Sequence, residues 1–140
     1  MTNDQISFEN EVIRGKYARE ITKLLEENSL NWYASPSIKK PEIFIRPKLI
    51  PDWDNTSSIF SRISLQVEEG EISLGISGYF PHRITENIKK EYFSEYKYHD
   101  KGFTDDGRPK GRFWFTRNVD NLYHFIEEFK KKEPILKEKI

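Results

Sequence analysis

Residues 61–77 constrain the fold more than any other stretch. Ile63, Leu65 and Val67 alternate with Ser64 and Gln66, and Ile72, Leu74 and Ile76 alternate with Ser73, Gly75 and Ser77. Glu69-Gly70, between the two runs, has the length and composition of a tight hairpin loop. Closing the hairpin there sets Val67 opposite Ile72, Leu65 opposite Leu74 and Ile63 opposite Ile76. All six aliphatic side chains then share one face, and Ser64, Gln66, Ser73, Gly75 and Ser77 share the other. A slip of one residue in either strand destroys that match, so the register is well specified. A ribbon with one apolar face requires a second layer to cover it.

Helices are available to cover it. Phe8, Val12, Ile13, Tyr17, Ile21, Leu24 and Leu25 form one stripe of a 3.6-residue period, which predicts a helix over about 6–28. Ser7 is suited to its N-cap and Asn28 to its C-terminal stop. Ile84, Ile88, Tyr92 and Tyr96 predict a second helix over about 84–98. Val119, Leu122, Tyr123, Ile126 and Phe129 predict a third over about 118–132, capped by Asn118.

Two further segments read as strands. In 42–46, Ile43 and Ile45 face one way and Phe44 and Arg46 the other. Pro47 has no N–H for a ladder, so this strand lies at an edge or ends there. In 112–117, Phe113 and Phe115 face one way and Arg112, Trp114 and Thr116 the other. Trp32 and Trp53 fall in connections and are read as packing down over the sheet. The expected fold is α+β: a mainly antiparallel sheet of about four to five strands, with the three helices largely on one face. Residues 1–132 are expected to form one domain, and 133–140, after the alternating Lys and Glu around Pro134, a charged tail.

Composition closes off several classes. The chain of 140 residues has no cysteine, which excludes a disulfide scaffold, a thiol nucleophile and a Cys-ligated zinc site. No apolar run exceeds three residues, so no transmembrane span, signal-peptide core or membrane partner is expected, and the cytoplasm is the expected location. Low mean hydropathy can signal disorder, but 3 Trp, 7 Tyr and 10 Phe at zero formal charge supply enough burial for a core.

Catalytic motifs are missing. His82, His99 and His124 form no close metal-binding pair. Asp105-Asp106-Gly107 reads as a turn; an EF-hand register would place Phe113 where a bidentate Glu belongs. No Walker loop, dinucleotide fingerprint or serine-hydrolase elbow occurs, and the acidic turn of the hairpin carries no lysine for a nuclease centre. The chain is therefore expected to be non-enzymatic, with no metal and no cofactor. An enzyme of unfamiliar type would need His82 or His99 to converge in a pocket with Asp100, Asp105 or Asp106.

Charge patterning is more informative. The 23 basic and 23 acidic side chains cancel overall but fall in blocks: net +3 over 36–50, net −4 over 51–78 and net +3 over 79–118. In the last block, Lys101, Arg108, Lys110, Arg112 and Arg117 mingle with Tyr98, Phe103 and Trp114. This mixture suits a protein interface anchored by Trp and Arg, and equally suits cations on a nucleic-acid backbone with rings for stacking. His82 and Arg83, at the entry to the second helix, add an anion site. The expected function is binding of a macromolecule, first another protein and second nucleic acid, through Lys101, Arg108, Lys110, Arg112 and Trp114 of the 99–112 loop and its strand, together with the polar face or edge of the hairpin. A homodimer through an unpaired sheet edge is also compatible with the pattern.

Overall fold

A computed structural model describes residues 11–38, 40–48, 60–68, 71–78 and 82–136. In chain order the elements are α1 (Glu11–Glu27), β1 (Trp32–Pro36), β2 (Glu42–Pro47), β3 (Phe60–Glu68), β4 (Glu71–Gly78), α2 (His82–Tyr92), β5 (Lys97–His99), β6 (Phe113–Asn118) and α3 (Leu122–Leu136). The strands form one six-stranded sheet in the order β1-β2-β3-β4-β6-β5, with every pairing antiparallel. The fold is α+β.

The central hairpin has the register its alternation predicts: Ile63 opposite Ile76, Leu65 opposite Leu74 and Val67 opposite Ile72. Glu69 and Gly70, at its turn, lie outside the described residues. Ile63, Leu65, Ile72, Leu74 and Ile76 are all buried, joined by Ile43 and Ile45 of β2 and Phe113 and Phe115 of β6. A bulge between Phe60 and Arg62 re-aims Phe60 into the same core, where its ring meets Phe93 edge-on at 5.8 Å; such an extra residue is the usual way a strand switches face.

The three helices contribute to that single apolar core. From α1, Ala18, Ile21 and Leu25 are buried, and from α3, Phe125, Ile126, Phe129, Ile135 and Leu136. The α1 helix also shields the outer edge of β1: the Ala34 N–H donates to Thr22 Oγ1 at 2.9 Å, which occupies a group an edge strand would otherwise offer to another chain. The helix ends as Asn28 turns its amide back to the Leu24 carbonyl at 2.8 Å, followed by Ser29 with φ of 59°. Ser7 lies outside the described residues.

Four expectations are corrected. The sheet has six strands, not four to five, because 32–36 and 97–99 pair as β1 and β5. The 42–47 strand ends at Pro47, the second of the two readings its proline allowed, with β1 paired along its other side and Pro47 opposite Trp32. The second helix stops at Tyr92 rather than continuing to 98. Phe93 leaves it to stack on Phe115 at 4.3 Å, and Tyr96 follows from the turn, so the four-residue spacing of Tyr92 and Tyr96 is coincidental. The third helix begins at Leu122 and is capped by Asn121, whose Oδ1 accepts the His124 N–H at 2.9 Å; Asn118 is the last residue of β6. It also runs on through Pro134 to Leu136, so 133–136 are not a loose tail. Proline costs that helix the bond to the Lys130 carbonyl, but Leu136 is fully buried and Glu133 accepts the Trp32 indole N–H at 2.7 Å.

Candidate functional site

Alternation puts the complementary set of side chains on the face the helices leave uncovered. Across the strands, Phe44 stands opposite Ser64, Ser64 opposite Gly75, and Gly75 opposite Thr116. One step along, Arg62 stands opposite Ser77, Ser77 opposite Trp114, and Trp114 opposite His99. Two segments raise walls at the sides of this face. One is the β1–β2 connection, held by buried Arg14 of α1, which donates to the Ser37 carbonyl at 3.2 Å and the Ile38 carbonyl at 3.3 Å. The other is residues 100–111.

Residues 100–111 continue the β5–β6 pair as a small ribbon. Lys110 N–H donates to the Gly102 carbonyl at 3.0 Å, Thr104 N–H to the Arg108 carbonyl at 2.8 Å, and Phe103 bridges Pro109. The tip turns at Gly107, whose φ of 84° suits glycine over residues with a Cβ. Asp106 closes the turn by accepting from the Thr104 hydroxyl and pairing with Arg108 at 2.9 Å. The hydroxyl, aided by the Arg108 guanidinium, holds the Asp106 carboxyl below the usual carboxylate range.

Between the walls lies a groove of about 540 Å³ lined by Lys40, Glu42, Arg62, Gln66, Ser77, Lys101, Lys110, Gly111, Arg112 and Trp114. It runs into a second hollow of about 480 Å³ over β1 and β2, sharing Lys40, Glu42 and Arg62 and adding Phe44 and Arg46. Among the described residues, the lining of the first groove holds five cationic side chains and one carboxylate. Among the described residues, no ion pair engages Lys40, Arg62, Lys101 or Lys110. Like charges gathered in a concave surface reinforce one another's potential.

Aromatic rings organise both ends. Arg62 and Arg46 lie over the Phe44 ring, their guanidinium carbons 5.2 and 5.6 Å from its centroid. This contact confines two long side chains that would otherwise lose rotamer freedom on binding. At the other end Trp114 stacks on His99, centroids 5.5 Å apart and planes 27° from parallel. The floor between them is polar: Gln66 Nε2 donates to Ser64 Oγ at 2.9 Å. Gly75 permits that crossing, since a Cβ there would stand 2.5 Å from Gln66 Nε2.

Of the predicted site residues, the structure brings Lys101, Lys110, Arg112 and Trp114 together in the groove. Arg108 is not with them; it sits at the exposed ribbon tip, tied to Asp106. The side chains of His82 and Arg83 lie outside the described residues, as does Trp53. Gln66 and Ser77, on the polar hairpin face expected to take part, join the groove residues; the sequence reading missed Lys40, Phe44, Arg46 and Arg62. Their strand phases were legible, but the strand order that assembles them was not.

Among the described residues the acidic and imidazole groups take separate partners. Asp100 accepts the Gly102 N–H at 2.8 Å, Asp106 closes the ribbon tip, and His124 Nδ1 accepts the Asp120 N–H at 3.0 Å. Among the described residues no group of three or more His, Cys, Asp or Glu is placed to hold a metal ion, and no helix is long and apolar enough to cross a membrane. Compared with protein-family models, curated proteins and solved structures, the chain matches none.

Proposed function

We propose that this protein is a binding module without catalytic chemistry of its own, and that its site is the cationic groove on the uncovered face of the sheet, taking a macromolecule with a run of negative charge. One observation carries the reading: among the described residues, five cations and a single carboxylate line one concave surface of a chain whose total charge is zero. Nothing in the core requires that segregation. The surface extends beyond the 99–112 loop and the polar hairpin face expected from sequence, because Lys40, Glu42 and Arg62 also line it.

Retention on a sulfated polyanion matrix tests the reading. The wild type should elute at clearly higher salt than Lys101→Glu/Lys110→Glu/Arg112→Glu. A charge-matched control, Lys16→Glu/Lys23→Glu/Lys130→Glu, alters exposed helix positions outside the groove and should elute nearer the wild type. Equal losses in the two variants would mean that the groove is not the site.

A further inference from the structure

We infer that the occupant of the groove is a single-stranded nucleic acid, with phosphates on Arg62, Lys101 and Lys110 and a base stacked on the Trp114–His99 pair. The inference rests on the polyanion reading above and adds the class of ligand. An acidic peptide would use the cations but leave two features idle. The first is the stacked pair: Trp114 lines the groove and is backed by the His99 ring, a platform that a third flat ring extends. Base–aromatic stacking of this kind tolerates any sequence, because every base has a π-face.

The second is the polar floor. Gln66 and Ser77 offer both donors and acceptors beside the platform, which complements the mixed edges of bases and not the acceptor-only edges of carboxylates. Phe44 holds Arg62 and Arg46 at the far end, and a planar guanidinium matches phosphate oxygens in a fork. Phe44 and Trp114 stand three strands and two residues apart, about 16 Å at ordinary strand spacing. A backbone crossing the strands over that distance passes the guanidinium end, the polar floor and the stack in turn.

The test is fluorescence polarisation with a labelled thymidine strand of about eight nucleotides, a size within the range single-strand sites occupy, and an abasic strand of equal length. The thymidine strand should bind, and the logarithm of its affinity should fall with the logarithm of salt at a slope of about −2 if three phosphates are neutralised. Trp114→Ala should weaken binding about five- to a hundredfold, as should removing the bases. Trp114→Phe should retain most of the affinity. Because Trp114 is half-buried, His99→Ala serves as a second variant at an exposed position, and it too should weaken thymidine binding more than abasic binding.

Equal affinity for thymidine and abasic strands would overturn the inference and leave the polyanion reading standing. So would binding of polyglutamate with no binding of either strand. Failure to bind polyglutamate and both strands at low salt would overturn the two together.

Discussion

The same six strands present two faces built on opposite principles. On the covered face, Ile63, Leu65, Leu74, Ile76, Phe113 and Phe115 fit against the helices and are at most 1% exposed. On the other, Arg62, Gln66, Ser77 and Trp114 alternate with them along the same strands and line a groove. The first face is held by area removed from water, which is insensitive to direction. The second gathers charge against electrostatic repulsion, a cost that folding alone does not recover. A sheet needs one apolar face to exist, so its other face is free to be selected for recognition.

Paired substitutions test that division most directly. Phe93, fully enclosed among Phe60, Tyr96 and Phe115, should cost about 3–5 kcal/mol of stability as Phe93→Ala. Trp114→Ala, on the open face, should cost less than half as much. Chemical denaturation of both variants measures the difference, and equal losses would erase the distinction between the faces.

One ion pair interrupts the apolar side. Glu128 is almost completely buried; it accepts the Tyr96 hydroxyl at 2.7 Å and pairs with Arg117 at 3.1 Å. Arg117→Ala should destabilise by about 3 kcal/mol, the low end for breaking a buried pair, because its side chain is 31% exposed and already reaches Glu95. The same denaturation curves report it, and a loss under about 1 kcal/mol would place the pair with surface ion pairs.

Tyrosine ionisation sharpens the contrast further. Burial first, then the hydrogen bond to Glu128, pushes the Tyr96 hydroxyl well above its ordinary value; burial and the Asp100 carboxylate do the same to Tyr98. With both folded values raised, their contribution to stability is fully present below the unfolded value of about 10. It is lost as pH rises from there through the folded values. The unfolding midpoint should therefore fall between pH 9 and 11, and less steeply in Tyr96→Phe. The Tyr98 hydroxyl is buried beside the Asp100 carboxylate, so Tyr98→Phe should likewise make the fall above pH 9 less steep.

The smallest effect belongs to the ribbon tip. Asp106→Ala should leave the global unfolding midpoint unchanged and speed amide exchange only at Gly107 and Arg108. The lowered Asp106 value has the opposite pH sense to the tyrosines: its local contribution is present above the unfolded carboxylate value and lost as pH falls through the folded one.

What could be read from the sequence divides along the same line. The register of β3 with β4 was legible because one face is apolar and a slip exposes it. The phases of β2 and β6 were legible for the same reason. The strands β1 and β5 were not. Trp32–Pro36 has no alternation and ends in proline, and Lys97–His99 is too short to show a period and follows a misleading helical spacing. The groove was half legible. Lys101, Lys110, Arg112 and Trp114 lie close in sequence, whereas Arg62 reaches them only because β4 pairs with β6, setting Ser77 between Arg62 and Trp114. Summing charge in sequence blocks put Arg62 in an acidic segment and hid its membership in a basic surface.

The contact from Trp32 to Glu133 spans 101 positions, and it sets a timetable for synthesis. The first strand cannot reach its final surroundings on the ribosome until residues as late as 136 have cleared the exit tunnel, since Leu136 seals the same core. A chain cut short after residue 132 should fluoresce from a wetter indole.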